Sequence, residues 1–157
     1  MAQEVERKFL LKNDGFKSRI VGQNRVVQGY LSSVPERAVR VRIKGDKGYL
    51  TIKGIGNESG VTRFEWEKEI PLDEARDLLE ICEPGTIDKT RYLVDYRGLT
   101  FEVDEFHGLN RGLILAEVEL QNENQPFEKP DWLGEEVTGV DRYYNVTLIN
   151  HPYTEWE

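Results

Sequence analysis

Charged and apolar residues alternate one by one in several short segments of this chain, most clearly in residues 39–44, with the sequence VRVRIK. Successive side chains of a β-strand point to opposite faces, so each such segment predicts a strand with one apolar and one charged face. Short turns, such as residues 45–48, join neighbouring segments into hairpins. The pattern predicts an α+β protein built on an antiparallel sheet.

The sign of the charge is sorted from segment to segment. Segments near residues 4, 65, 102 and 117 carry acids, whereas segments near residues 40, 53 and 89 carry bases. For any one strand, the simpler interpretation is an open sheet with one solvated face. The whole set favours closure, because eight strands can form a barrel with room inside for side chains or a small ligand. Closure would place these charges inside and the apolar faces outside, under the helices.

Helical spacing appears in two longer stretches. Residues 72–82 place apolar side chains on one stripe, and Pro84 with Gly85 ends the helix. A second helix is expected at residues 141–150, docked by Tyr144 and Leu148, which lie one turn apart. A short helix is also expected through Phe16 and Ile20, ending at Gly22.

Length and charge limit the function. The 157 residues predict one domain over residues 1–157. A net charge of −8 argues against partners such as nucleic acid or an anionic membrane surface. No apolar run approaches ~18 residues, so no membrane-spanning helix is expected. Cys82 is the only cysteine, which excludes an intramolecular disulfide and favours a cytoplasmic protein. A homodimer is compatible with these features.

Charges enclosed by a barrel need partners, because burying an ion costs several kcal/mol even after relaxation. Arginine and lysine bind phosphate oxygens, and glutamate binds Mg²⁺ or Mn²⁺, which bind phosphate in turn. A cavity lined by both signs therefore predicts a metal–polyphosphate ligand. The chain lacks a GxxxxGK[ST] loop, so it is not a P-loop enzyme. Neither His107 nor His151 is assigned a chemical role, and Cys82 is expected in the core. The three tryptophans are expected to be packing groups.

The first strand, Glu4-Val5-Glu6-Arg7-Lys8, resembles the ExExK signature of the CYTH, or triphosphate tunnel metalloenzyme, superfamily. The other charged strands follow in the family's order, and the similarity extends to about residue 150. The resemblance implies an α+β fold in which an eight-stranded antiparallel β-barrel, or tunnel, with helices packed outside, acts on triphosphate substrates with a divalent metal. It is closest to the small, single-domain bacterial members.

The resemblance and the residue types together assign candidate roles. The predicted catalytic residues are Glu4, Glu6, Lys8 and Lys89. The predicted substrate-binding residues are Lys8, Arg40, Arg42, Lys53, Lys89, Arg91 and Tyr30, of which Tyr30 is expected to narrow one tunnel end. The predicted metal ligands are Glu4, Glu6, Glu65, Glu67, Glu102, Asp104, Glu117 and Glu119. The choice among Glu65, Glu67 and Glu69 stays open at this stage.

The expected activity is metal-dependent hydrolysis of inorganic tripolyphosphate to pyrophosphate and phosphate by a two-metal mechanism. ATP and thiamine triphosphate remain alternative substrates, with Mg²⁺ or Mn²⁺ as the cofactor. A class IV type adenylate cyclase would share the tunnel and attack with the ribose 3′-hydroxyl, but the sequence shows no obvious adenine pocket. A non-catalytic polyphosphate- or nucleotide-binding barrel is a third hypothesis, disfavoured because binding alone needs mainly the bases.

Overall fold

The computed structural model describes residues 3–156, in which nine β-strands and two α-helices follow one another. The strands are β1 (Gln3–Leu11), β2 (Ile20–Ser32), β3 (Ala38–Lys44), β4 (Lys47–Gly56), β5 (Thr62–Ile70), β6 (Ile87–Tyr96), β7 (Leu99–Phe106), β8 (Ile114–Glu119) and β9 (Leu133–Glu136). The helices are α1 (Leu72–Glu80) and α2 (Asn145–Asn150).

Eight of the strands close into a barrel. They run in the order β5-β4-β3-β2-β6-β7-β8-β1, and β5 pairs back onto β1 through Gln3 opposite Phe64. Each of these pairings is antiparallel. The short β9 pairs with the other half of β1, where Phe9 lies opposite Glu136. The predicted eight-stranded antiparallel barrel is confirmed.

The apolar faces of the strands point outward and are covered there. A core cluster on this side contains Phe9, Phe101 and Val118, and Phe16 and Trp132 pack onto it from flanking segments. Helix α1 lies against β3 and β4, so close that a Cβ on Gly48 would lie 2.6 Å from that of Ala75. The predicted packing of helices outside the barrel is confirmed.

A second apolar cluster fills one end of the barrel interior. Leu115 has the strand parity of Glu117, and Ile87 has that of Lys89, so both point inward. Three residues that follow β8 in the chain, Val137, Tyr143 and Leu148, belong to the same cluster as Leu115 and Ile87. The C-terminal segment therefore seals this end and leaves the charged part of the interior for a ligand.

Two helix predictions were wrong. The short helix ending at Gly22 is a 3₁₀ turn over Gly15–Arg19, and β2 begins at Ile20 because it pairs with Val94. The helix expected over residues 141–150 is broken into a 3₁₀ turn, Asp141–Tyr143, and α2. The residue between them, Tyr144, has extended backbone angles of φ −72° and ψ 142°.

Within residues 3–156, no helix has both the length and the apolar character needed to cross a membrane.

Candidate active site

A cavity of about 540 Å³ lies inside the barrel. Seven basic and eight acidic side chains line it, so it is close to electrically neutral. They are Lys8, Arg40, Arg42, Lys44, Lys53, Arg63 and Arg91, and Glu4, Glu6, Glu65, Glu67, Glu102, Glu117, Glu119 and Asp141. Tyr30 also lines the cavity, so of the predicted site residues only Lys89 and Asp104 are absent from its wall. Of the three acids left open on β5, Glu65 and Glu67 line the cavity, whereas Glu69 is exposed outside it.

Buried arginines from β3 crowd one wall of this cavity. The side chains of Arg40 and Arg42 lie 3.7 and 3.4 Å from the same Glu67 oxygen. Both Nε atoms are buried and lack a hydrogen-bond partner within the described chain. Burial, with the nearby charges of Arg40 and Arg91, lowers the pKa of Arg42 to about 10. This wall therefore holds more positive charge than Glu67 neutralises, and an anion placed here would be stabilised.

Arg91 reaches the cavity from β6, and carboxylates of β7 hold its guanidinium by hydrogen bonds. It donates two hydrogen bonds of 2.8 Å to Asp104 and one of 3.1 Å to Glu102. Asp104 also pairs with Lys89 at 2.8 Å, and both of those side chains are 1% exposed. Burial lowers the pKa of Lys89 to about 8 despite the attraction of Asp104. Asp104 and Lys89 thus form a layer behind the wall that fixes the direction of Arg91.

Glu4 is engaged by two cations. Its Oε1 atom accepts hydrogen bonds from Lys53 and Arg63, both at 2.9 Å. Although burial acts in the opposite direction, these charges lower the pKa of Glu4 to about 2. Arg63 was missed by the sequence analysis. It shares the strand parity of Glu65 and Glu67 in an alternating segment, and that parity was the signal that could have identified it.

Carboxylates also face one another across neighbouring strands. Glu6 lies opposite Glu119, and Glu102 lies opposite Glu117. Burial and the charge of Glu117 raise the pKa of Glu6 well above its ordinary value. Although burial opposes it, Lys8 and a hydrogen bond from Glu6 hold the pKa of Glu117 well below its usual range. Glu6 and Glu117 are therefore close enough to shift each other's pKa in opposite directions.

The chemistry of these carboxylates fits a divalent cation. No three His, Cys, Asp or Glu side chains among residues 3–156 form a ready-made metal cluster. Mg²⁺, however, is commonly held by one or two carboxylates together with substrate phosphates. The charges of Glu117 and Glu4 raise the pKa of Glu6, and a bound cation would offset this repulsion. The donor set therefore suits a metal ion bound together with phosphate.

The comparisons with known proteins agree with this geometry. The sequence matches the family model described as CYTH domain over residues 2–147. This chain belongs to the CYTH family. It is 47% identical over 158 residues to an inorganic triphosphatase of Acetivibrio thermocellus, covering 100% of this chain and 99% of the relative. It is 36% identical over 151 residues to an inorganic triphosphatase of Nitrosomonas europaea, covering 92% and 95%.

The CYTH barrel also matches a solved structure. The crystal structure of an inorganic triphosphatase superposes with a TM-score of 0.65 at 35% sequence identity. The match covers 95% of each chain. The resemblance found in the sequence is thereby confirmed along nearly the whole chain.

The remaining reactive side chains lie outside the CYTH cavity. Cys82 donates to the carbonyl of Leu78 at 3.4 Å, and burial raises the pKa of its thiol, so it is not an activated nucleophile. His107 shares a hydrogen bond of 2.7 Å with the Thr90 hydroxyl, and His151 is exposed.

The tryptophans differ from one another in their surroundings. Trp132 packs in the outer core and Trp156 packs against Tyr143, as predicted for both. Trp66 was predicted to be a packing group, but it is 41% exposed on the outer face of β5. The prediction is wrong there because α1 extends only over part of the β3–β4–β5 face.

Proposed function

We propose that this protein is a divalent-metal-dependent triphosphatase that hydrolyses inorganic tripolyphosphate to pyrophosphate and phosphate inside its barrel. The observation that carries the proposal is the wall of buried, incompletely neutralised arginines facing opposed carboxylates in one cavity. Relatives that match this chain over nearly its full length are named inorganic triphosphatases, which supports the same reaction.

The basic wall supports a polyphosphate as the substrate. Arg40, Arg42 and Arg91 would bind phosphate oxygens in bidentate fashion, and Lys53 would act as a point charge. Arg91 would do so without reorientation because Asp104 already fixes its guanidinium. A substrate charged along its whole length meets these cations on several strands, whereas a nucleoside end would leave some of them unpaired.

The acidic residues support a metal requirement. Glu6, Glu117 and Glu119 would hold one divalent ion, and Glu4 with Glu6 would contribute to a second. Bound Mg²⁺ or Mn²⁺ would neutralise phosphate charge and lower the pKa of the attacking water. Because acidic and basic side chains in the cavity nearly balance, a polyanion needs this added positive charge. Glu65, Glu67 and Glu102 would tune the field around these ions and orient the arginines.

Two lysines have separate roles in the proposal. Lys8 would keep Glu117 ionised, since its charge is the leading attraction that lowers the pKa of that carboxyl. Lys89, whose Nζ lies 2.8 Å from Asp104 and which is screened from the cavity by Arg91, would stabilise the negative charge of the leaving phosphate.

Tyr30 would limit the width of the cavity beside Arg40, which lies opposite it in the sheet.

The test is a comparison of substrates with purified, metal-stripped protein. Tripolyphosphate, ATP and thiamine triphosphate are each supplied with Mg²⁺ or Mn²⁺, and both phosphate and cyclic AMP are measured. We expect kcat/KM for tripolyphosphate to exceed that for ATP at least about tenfold, or ~1.4 kcal/mol. Equal or faster hydrolysis of ATP would overturn the substrate assignment, and cyclic AMP as the product would indicate a cyclase. Binding of all three without turnover would indicate a non-catalytic barrel.

We also propose a cytoplasmic location, in keeping with the single cysteine.

A further inference from the structure

The C-terminal segment holds the backbone of Lys8 through two hydrogen bonds. The N–H of Lys8 donates to the Thr138 hydroxyl at 2.9 Å, and its carbonyl accepts from the N–H of Val137 at 2.8 Å. A lysine at the ExExK position is thus connected to a segment about 130 residues further along the chain.

The same segment also holds the Lys8 side chain. Its Nζ donates to the carbonyl of Tyr143 at 3.1 Å and lies 5.4 Å from the centre of the Tyr144 ring. An ammonium within about 6 Å of an aromatic ring is attracted by the ring's quadrupole. Both partners are uncharged, so they fix the ammonium in place and leave its positive charge available to the cavity.

The break in the C-terminal helix makes this arrangement available. In a continuous helix over residues 141–150, the carbonyl of Tyr143 would accept the N–H of Thr147. Tyr144 is instead extended, and α2 begins after it. The carbonyl of Tyr143 is thereby free to accept from Lys8.

The hydroxyl end of the Tyr144 ring lies beside a loop of the barrel. Its hydroxyl would lie 3.3 Å from a Cβ at Gly60, in the loop between β4 and β5. That loop abuts the C-terminal segment so closely that the same Cβ would lie 2.7 Å from the Cα of Gly139. The loop and the C-terminal segment therefore pack closely together around the hydroxyl end of the ring.

We propose that Tyr144 is a positioning residue that holds the Lys8 ammonium in the cavity opposite Glu117, its neighbour across the β1–β8 pairing. The inference rests on the proposed triphosphatase function for its catalytic consequence. Removing the ring leaves the ammonium with one neutral acceptor and freedom to swing away. Phosphate binding by Arg40 and Arg42 does not depend on the ring. Loss of the ring should therefore lower kcat more than it raises KM.

The kinetic test compares three variants with tripolyphosphate. Tyr144→Phe keeps the ring and should stay within about twofold of the native protein. Tyr144→Leu should lower kcat about tenfold or more, with a smaller change in KM. Tyr153→Leu is the matched control, because Tyr153 packs against Trp156 in the same segment but does not line the cavity. It should stay near the native kcat. Equal kcat values for the Phe and Leu variants of Tyr144 would overturn the proposal.

A second measurement does not depend on activity. In the NMR spectrum of the native protein, ring current from Tyr144 should shift the side-chain protons of Lys8 upfield. The shift should persist in Tyr144→Phe and in Tyr153→Leu and disappear in Tyr144→Leu. Its absence from the native protein would overturn the positioning role, whatever the kinetics of the variants. Its presence in a protein that fails to hydrolyse tripolyphosphate would support the positioning role and refute the proposed function.

Discussion

Glu6 lies directly opposite Glu119 across the antiparallel pairing of β1 with β8. Like charges in directly opposed positions destabilise a sheet. Burial and the charges of Glu4 and Glu102 raise the pKa of Glu119, and burial with the charges of Glu117 and Glu4 raises the pKa of Glu6, so negative charge accumulates in this part of the wall. The barrel thus contains a repulsion that a bound cation would relieve.

We expect Glu119→Gln and Glu117→Gln each to remove most activity without unfolding the protein. The amide keeps the size of the side chain but loses the charge that would hold the metal, so raised Mg²⁺ or Mn²⁺ should restore part of the activity. The assay is tripolyphosphate hydrolysis over a metal titration, with Glu135→Gln, an exposed residue on β9, as the control. Full activity of the double variant in metal-stripped buffer would contradict the metal assignment.

Metal addition should also stabilise the protein by mass action. A ligand that binds the folded state at 100 times its Kd adds about 2.7 kcal/mol to the free energy of unfolding. We expect Mg²⁺ or Mn²⁺ to raise the Tm of the native protein in the absence of substrate, and the rise to shrink in Glu119→Gln. An identical rise in both proteins would place the stabilising ion elsewhere.

Arg42→Met should weaken substrate binding without lowering stability. The native guanidinium is buried and repelled by Arg40 and Arg91, so its removal relieves a cost of folding. One lost charged hydrogen bond to phosphate is worth ~1.5–3 kcal/mol, which predicts a rise in KM of about tenfold or more. Steady-state kinetics and urea unfolding are compared with Arg76→Met, an exposed change on α1. An unchanged KM together with lower stability would make Arg42 a structural residue.

Asp104→Asn should be strongly destabilising. Asp104 pairs with Arg91 and Lys89 behind the cavity wall, and breaking a buried ion pair typically costs 3–5 kcal/mol. Lys89→Met should cost less, since Asp104 keeps its two hydrogen bonds to Arg91. Denaturant unfolding in metal-free buffer measures both. Native stability of Asp104→Asn in that buffer would argue against its place in the buried network.

Gly60→Ala should destabilise the protein more than Gly98→Ala. Both glycines have left-handed backbones, with φ of 74° and 81°. A Cβ at Gly98 would meet nothing within 4 Å, whereas one at Gly60 would lie 2.7 Å from Gly139. We expect a cost of ~1–2 kcal/mol for the backbone strain shared by both, and roughly 1–3 kcal/mol more at Gly60 for the clash. Equal free energies of unfolding would show that the loop can separate from the C-terminal segment.

Stability should depend on pH through Glu136. Hydrogen bonds from Arg7 lower the pKa of Glu136 below its ordinary 4.5, so the folded state binds this proton less tightly than the unfolded state. The stabilisation is present above pH 4.5 and is lost as the pH falls through the folded pKa. For a partly exposed pair we expect about 1 kcal/mol. The free energy of unfolding of Glu136→Gln should therefore differ from that of the native protein at pH 7, and the gap should narrow as the pH is lowered below 4.5. A gap that stays constant with pH would assign the effect to packing.

The inward charges were predictable because strand parity is local. Alternation in residues 39–44 is enough to place Arg40 and Arg42 on one face, and the sorting of signs among strands pointed to closure. The same parity put Glu117 and Glu119 on one face of their strand and Glu6 on the charged face of the first strand, whereas their shared metal-binding role was implied by the family resemblance. Their membership of one cavity is confirmed, and their chemical roles stay predictions.

The tertiary structure decided how deep each side chain lies and what it touches. Parity gives Lys89 and Arg91 the same face, yet only Arg91 lines the cavity. The pairing with β7 places Arg91 opposite Asp104 and Lys89 opposite Phe106, where the Lys89 ammonium is buried 2.8 Å from Asp104. The contacts of Arg63 with Glu4 and of Tyr144 with Lys8 join residues 59 and 136 positions apart. Such contacts depend on cross-strand register and on where the helix breaks. Neither is encoded in a repeat of period two, so the sequence determined the faces of the strands and the closed barrel determined their partners.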